Sequence, residues 1–109
     1  MAKKVTWSPL AKEALKELLL SSQERHQSKQ YSKMMFQLLE GVLHRVSLNP
    51  FIGQPTETEN IRYITPHPDY TIFYRHSLLQ IEVLVLWNNH YKMGRIETII
   101  KKEQEEQET

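Results

Sequence analysis

One stretch of the chain, Ile61–Trp87, carries more polar and basic chemistry than a stretch of this kind needs merely to fold. Its imidazoles could transfer protons near neutral pH, its guanidinium groups could balance anionic charge, and its tyrosine rings could stack on a planar ligand. The side chains in question are Arg62, Tyr63, His67, Tyr70, Tyr74, Arg75 and His76. We therefore expect any active or binding surface of the protein here.

The same stretch has the composition of a β-sheet. Its two apolar runs, Thr71–Tyr74 and Ile81–Trp87, are rich in β-branched and aromatic residues. Such residues favour strands over helices. Polar breaks at Pro66–Asp69 and Arg75–Leu79 interrupt the apolar pattern and mark the turns between strands. The stretch is therefore expected to form the core of the sheet.

The alternation of side chains along a strand places the candidates on opposite faces. Tyr70 and Tyr74 share one face of a regular strand, as core or rim residues or as stacking platforms. Arg75 then lies on the other face, where it could act on a ligand or pair with Glu82 across the hairpin. The sequence leaves both alternatives open.

Two helices are predicted before the sheet. Ser8 is a typical N-cap and Pro9 suits the first helical position, so the first helix should run from Pro9 to about Ser21–Ser22. The second helix ends at Asn49–Pro50, and Gly41 within it is expected to permit close packing. Its apolar stripe consists of Tyr31, Met34, Met35, Leu38, Leu39, Val42, Leu43 and Val46.

The order of elements predicts an α+β fold. A short N-terminal strand near Lys3–Trp7 is followed by an antiparallel hairpin of two helices, packed on one face of a mostly antiparallel four-stranded sheet. The opposite face of the sheet would remain available to a ligand or partner. Isoleucines at helical spacing predict a short C-terminal helix from Arg95 to about Glu106. We expect one domain, residues 1–102, and an acidic, solvated tail, residues 103–109.

The composition excludes several classes of protein. The chain has 109 residues and no cysteine, which excludes disulfides, thiolate metal sites and cysteine nucleophiles. The spacing of the histidines predicts no metal site, and we expect no small-molecule cofactor. No apolar run approaches the roughly 20 residues of a membrane span, and the N-terminus lacks the apolar region of a signal peptide. The expected location is the cytoplasm.

Charge is unevenly distributed along the chain. Residues 103–109 hold four glutamates and no base, so the other 102 residues carry 14 Lys and Arg against 9 Asp and Glu. A mildly basic body is compatible with a nucleic acid or with an acidic protein partner, and it demands neither.

Five short segments, in this order and with this spacing, resemble the RelE/ParE superfamily of bacterial toxins, the toxin half of type II toxin–antitoxin pairs. The resemblance covers about residues 3–92. Its segments are Val5–Ala11, Leu48–Pro55, Ile61–Arg62, Tyr70–Arg75 and Val83–Asn89.

The resemblance implies a small protein that arrests growth when free and is neutralised by a cognate antitoxin protein. RelE-like members cut mRNA on the ribosome, whereas ParE-like members are non-enzymatic inhibitors of DNA gyrase. Ribosome-dependent mRNA cleavage is the first expectation for this chain. The alternatives are a ParE-like gyrase inhibitor and a detoxified member that only binds antitoxin. Fold alone does not choose between them.

For a metal-independent endoribonuclease, or mRNA interferase, the resemblance and the residue types suggest a set of site residues. The catalytic candidates are Arg62, Arg75, His90 and Tyr91, and the RNA-binding candidates are Tyr70, Tyr74, His76 and Lys92. Such an enzyme needs a base, an acid and cations around the phosphate.

Three positions where the family's nucleases place or would need a cation lack one here. They are Thr71, Ile64 and the pair Asn89–His90, which replaces Asn-Arg. Gathering of Arg62, Arg75 and His90 in one basic concavity would favour a nuclease, and their dispersal would favour the inhibitor.

Overall fold

The computed structural model describes residues 2–26 and 29–90. The elements in chain order are β1 (Lys4–Trp7), α1 (Pro9–His26), α2 (Lys29–Leu48), a 3-10 turn (Pro50–Ile52), β2 (Gln54–Pro55), β3 (Ile61–His67), β4 (Tyr70–His76) and β5 (Gln80–Asn88). The predicted C-terminal helix, the acidic tail and the candidates Tyr91 and Lys92 lie outside the described residues. Within the described part, no helix is long and apolar enough to cross a membrane.

The sheet has five strands in the order β1-β5-β4-β3-β2. Strand β1 runs parallel to β5, and the other pairs are antiparallel. The predicted α+β fold, with two helices and a mostly antiparallel sheet, is confirmed. The fifth strand is β2, only two residues long, which pairs with Tyr63 and Arg62 of β3. Two residues are too few to show the alternation by which a strand is recognised in a sequence.

Three predicted boundaries differ from the structure. Strand β3 continues to His67, into the predicted break at Pro66–Asp69. Helix α1 continues to His26, beyond the expected end at Ser21–Ser22. Strand β4 continues through Arg75 to His76, because both residues pair with β5 in the predicted break. Cross-strand hydrogen bonding therefore overrides the polar composition at the end of β4.

The helix pair packs on one face of the sheet, as expected. Ser8 caps α1 by accepting a hydrogen bond from the Ala11 amide, 3.0 Å away, and its hydroxyl donates to the Leu84 carbonyl oxygen at 2.8 Å. This one side chain thus starts the helix and fastens it to β5. The buried core between helices and sheet includes Ala11, Leu18, Met35, Leu39, Val42, Leu43, Val46, Ile72, Tyr74, Ile81, Val83 and Leu86.

Two packing expectations are wrong. Gly41 is exposed, and a Cβ at this position would meet nothing within 4 Å, so it does not permit a close helix contact. The opposite face of the sheet is not open at its centre, because it carries a second buried cluster against which Tyr63 packs. This cluster consists of Ile61, Phe73, Leu84, Val85 and Trp87.

Candidate active site

The structure divides the predicted site residues between two ends of the sheet. Strand register aligns Ile61 with Arg75 at one end and His67 with Tyr70 at the other. We call the first the Tyr74 end; it comprises Phe51, Gly53, Arg62, Tyr74 and His76. The second, the Asp69 end, comprises His67, Asp69, Tyr70, Asn89 and His90. Five residues of extended strand separate Arg62 from His67, which corresponds to roughly 16 Å.

At the Asp69 end, His90 is held by a carboxylate. Its Nε2 lies 2.9 Å from Oδ1 of Asp69, and the His90 side chain is 73% exposed. A carboxylate only accepts hydrogen bonds, so Nε2 carries the proton and Nδ1 is the nitrogen that can exchange a proton with a bound molecule. A histidine oriented in this way by a carboxylate is suited to acid–base chemistry near neutral pH.

His67 contacts the same aspartate from the other side. The Asp69 backbone amide donates to Nδ1 of His67 at 3.1 Å, which makes Nδ1 an acceptor and places the proton of the neutral ring on Nε2. Nδ1 is also 3.8 Å from Oδ2 of Asp69, a distance too long for a hydrogen bond. This contact therefore favours the tautomer of His67 that has its N–H at Nε2.

Two short polar side chains bring His90 to Asp69. The Thr71 hydroxyl is buried and donates to Oδ1 of Asn89 at 2.7 Å. Asn89 in turn donates from Nδ2 to the Pro68 carbonyl oxygen at 3.0 Å and from its amide to the Asp69 carbonyl oxygen at 2.8 Å. These bonds tie the end of β5 to the β3–β4 turn. Thr71, at a position where the family resemblance led us to expect a cation, thus positions the site instead, together with Asn89.

Tyr70 is the other predicted candidate at this end. Its ring centroid lies 6.2 Å from that of His67, and the ring is half-buried against the core beneath the helices. The structure therefore places Tyr70 and His90 from the predicted catalytic and RNA-binding set at one end of the sheet. His67, which the sequence analysis named as an imidazole able to transfer protons, lies at the same end.

At the Tyr74 end the polar groups build structure. Tyr74 is fully buried; its hydroxyl donates to the Pro50 carbonyl oxygen at 2.6 Å and accepts from the Gly53 amide at 3.1 Å. Burial raises the pKa of this hydroxyl, although the Gly53 hydrogen bond and the nearby Arg62 charge oppose the rise. With no exposed ring surface, Tyr74 in this position has nothing to offer RNA for stacking.

Arg62 and His76 surround the 3-10 turn. Nη1 of Arg62 donates to the Gly53 carbonyl oxygen at 2.7 Å, and its guanidinium carbon lies 5.0 Å from the Phe51 ring centroid. The His76 ring meets Phe51 edge-on, with 5.1 Å between centroids. The pKa of His76 is lowered by burial first, and then by the charges of Lys3 and Arg62.

Arg75 lies on the opposite face of the sheet from Arg62, because Arg62 pairs with Tyr74, the residue before Arg75. Its Nη2 donates to Oε1 of Glu82 at 2.6 Å, and both side chains are mostly buried. The predicted cross-hairpin pairing is confirmed. Arg62, Arg75 and His90 are therefore dispersed, and they do not form one basic concavity.

Sequence reasoning missed Asp69 as a site residue and the positioning roles of Thr71 and Asn89. A weak signal existed, since His67-Pro68-Asp69-Tyr70 brings an imidazole and a carboxylate into one tight turn. Nothing local in the sequence showed that His90, more than twenty positions further on, would meet this turn. Within residues 2–26 and 29–90, no group of three or more His, Asp or Glu side chains could hold a metal ion.

The fold is shared with solved structures of toxin–antitoxin systems. A chain of the chromosomal ParDE TA system from P. aeruginosa superposes with a TM-score of 0.67 at 14% identity, over 80% of this chain and 96% of that chain. A chain of the E. coli DinJ-YafQ toxin-antitoxin complex gives 0.58 at 12% identity, over 86% and 100%. No family model and no curated protein matches the sequence. The predicted resemblance to the RelE/ParE toxins is thus confirmed for the fold.

Proposed function

We propose that this chain is the toxin component of a type II toxin–antitoxin pair, acting in the cytoplasm and neutralised by a cognate antitoxin. The observation that carries this proposal is the fold, which spans nearly the whole length of chains from two toxin–antitoxin systems. The family segments in the sequence support the same conclusion independently of the coordinates.

The structure offers a place for an antitoxin segment beside the edge strand β1. A groove of about 430 Å³ runs between β1 and α2. It is lined by apolar side chains, among them Val5, Trp7 and Leu39, and by polar ones such as Lys3 and Glu40. No strand within the described residues pairs with the outer edge of β1. An amphipathic segment could therefore lie in the groove, or add to this edge as a further strand.

The first candidate for the toxic action is ribosome-dependent mRNA cleavage at the Asp69 end. In metal-independent cleavage, the 2′-oxygen of the RNA bonds to the adjacent phosphorus, the bond to the 5′-oxygen breaks, and a cyclic phosphate remains. His90 would accept the 2′-hydroxyl proton at Nδ1 while Asp69 stabilises the imidazolium. His67 would donate a hydrogen bond from Nε2 to the leaving 5′-oxygen, which takes its proton from water; the hydroxide formed is neutralised by the proton that His90 accepted. The 2.9 Å contact between His90 and Asp69 supports this candidate.

With only the side chains that the structure places at the Asp69 end, mRNA cleavage would be slow. Arg62 and Arg75 are remote from His90, and Thr71 and Ile64 are uncharged. Each absent phosphate-directed cation costs on the order of 3 kcal/mol in transition-state stabilisation, which is about a hundredfold in rate. We therefore expect cleavage to depend strongly on groups that the ribosome brings to the message.

The second candidate action is inhibition of DNA gyrase without catalysis. It is favoured by the dispersal of Arg62, Arg75 and His90, because a binding inhibitor needs only a recognition surface and no assembled acid–base set. A detoxified member that still binds antitoxin is the remaining alternative.

Inducing the chain without its antitoxin tests all three readings. Growth, integrity of ribosome-bound mRNA and DNA supercoiling by gyrase are measured together. We expect growth arrest with cut message, loss of cleavage by about 100-fold or more in His90→Ala, and no loss in the matched control His44→Ala, an exposed histidine of α2.

Each result assigns one action. Unchanged cleavage in His90→Ala would remove the histidine from the mechanism. Intact message with inhibited supercoiling would establish the gyrase inhibitor, and normal growth would establish the detoxified member.

A further inference from the structure

The 3-10 turn at the Tyr74 end presents an aromatic ring to solvent. Phe51 is 63% exposed, whereas Phe73 is 4% exposed and Phe36 on α2 is 36% exposed. A large apolar ring left in water contributes nothing to the hydrophobic core. Core packing therefore does not account for the exposed position of the Phe51 ring.

The backbone that carries Phe51 is firmly held. Oδ1 of Asn49 accepts a hydrogen bond from the Phe51 amide at 3.2 Å, and Tyr74 and Arg62 bond to the carbonyl oxygens of Pro50 and Gly53. These bonds fix the turn on both sides of the ring. A ring presented in a fixed position loses little conformational entropy when a ligand binds to it, which is a property of preorganised sites.

The cations near this ring are Arg62 and Lys3. Arg62 lies over one part of the ring, and the His76 ring, whose pKa is lowered and which is uncharged at neutral pH, lies against its edge. Nζ of Lys3 bonds to the Ser77 carbonyl oxygen, and its charge reaches His76. The carboxylates nearest in sequence are Glu57 and Glu59, in the exposed part of the loop between β2 and β3.

We propose that Phe51, flanked by Arg62 and His76, is a stacking site for one base of single-stranded RNA. The inference rests on the proposed mRNA-directed action. It identifies a place where the mRNA binds, at the Tyr74 end and therefore distant from His67 and His90 at the Asp69 end. An exposed aromatic ring beside an arginine is how single strands are bound without sequence preference: the base stacks on the ring, and the cations neutralise the neighbouring phosphates. Leu48 and Ile52, also exposed, would serve a protein contact instead.

Fluorescence anisotropy with a labelled twelve-nucleotide polyuridine RNA, without ribosomes, tests the site. We expect Phe51→Leu and Phe51→Ala to weaken binding by about tenfold or more, and Phe51→Trp to retain it, since stacking contributes about 1 to 3 kcal/mol per base. The matched control Phe36→Leu should bind as the unaltered chain does. Circular dichroism and urea unfolding check that each variant is folded.

The leucine variant separates the two kinds of partner, because leucine preserves apolar contact and cannot stack as an aromatic ring does. Equal RNA affinity in Phe51→Leu, or no RNA binding by the unaltered chain, overturns the proposal. This assay measures only RNA binding. The proposed toxin function is tested separately, by growth and by mRNA cleavage, so a negative binding result does not decide it.

Discussion

The two ends of the sheet use the same kinds of side chain for different purposes. At the Tyr74 end, a tyrosine hydroxyl and an arginine are satisfied by backbone groups of the segment Pro50–Gly53. At the Asp69 end, two histidines face one carboxylate, and the His90 side chain is mostly exposed. The two ends therefore differ in solvent access. The polar groups of the Tyr74 end hold the fold together, whereas those of the Asp69 end can still exchange protons with a ligand.

The difference also explains why residue type was a poor guide to role. Arg62 and Tyr74 have the chemistry of a phosphate site, yet their hydrogen bonds go to the protein's own backbone. Tyr74 is fully buried, and a buried polar group is costly unless it is bonded, so its hydroxyl is committed to the fold. Arg62 is only partly buried, so its charge can still act on a ligand while its hydrogen bond holds the turn. The His90 side chain is 73% exposed, which leaves it more freedom to act on a ligand.

The largest expected effect comes from Asp69→Asn. The amide keeps the size of the side chain but removes the charge that stabilises a protonated His90, so mRNA cleavage should fall by about 100-fold. Urea unfolding should change little, because Asp69 is partly exposed. Cleavage equal to that of the unaltered chain would contradict the functional assignment of this end.

Gly53→Ala should cause the largest loss of stability. A Cβ there would collide with the Tyr74 hydroxyl and lie 2.8 Å from the Tyr63 carbonyl oxygen. Overpacking of this kind costs about 1 to 3 kcal/mol, and urea denaturation measures it. Gly41→Ala is the matched control: with nothing within 4 Å of its Cβ, it should stabilise α2 by about 1 kcal/mol. Equal effects at both glycines would show that Gly53 is not tightly enclosed.

Tyr74→Phe tests the hydroxyl alone. It leaves the Gly53 amide and the Pro50 carbonyl oxygen without their buried partner, and we expect a loss of about 1 to 3 kcal/mol. Tyr63→Phe on the neighbouring strand should change stability by less than about 0.5 kcal/mol, because within the described residues the Tyr63 hydroxyl makes no hydrogen bond. A neutral Tyr74→Phe would mean that the Tyr74 end does not depend on this bond.

The smallest expected effect is a pH dependence from His76. Its pKa in the folded chain lies below the ordinary value of 6.5, so the unfolded chain binds the proton more tightly. The contribution of neutral His76 is fully present above about pH 6.5 and is lost as the pH falls through this value toward the folded pKa. Urea unfolding at pH 7.5 and 5.5 should show a smaller drop in His76→Gln than in the unaltered chain; an equal drop would exclude His76 as its source.

Much of the fold followed from local patterns. The apolar stripe of α2, the Ser8–Pro9 start of α1 and the β-branched runs of β4 and β5 each depend on neighbours within a few positions. Such signals survive in a sequence because helix and strand periodicities are local. Strand β2 and the last residues of β4 escaped prediction because they exist only through pairing with a partner strand.

For the candidate site, the sequence alone determined which chemistries are present: imidazoles, guanidinium groups and tyrosines near one sheet, with no cysteine. It also determined the resemblance to the RelE/ParE fold. Tertiary structure decided which of these groups meet. It placed His90 against Asp69, turned Arg75 toward Glu82 and buried Tyr74 under the turn that exposes Phe51. The reason is physical, because residues distant in sequence set both solvent access and strand register. These two properties determine whether a polar group hydrogen-bonds within the protein or remains available to a ligand.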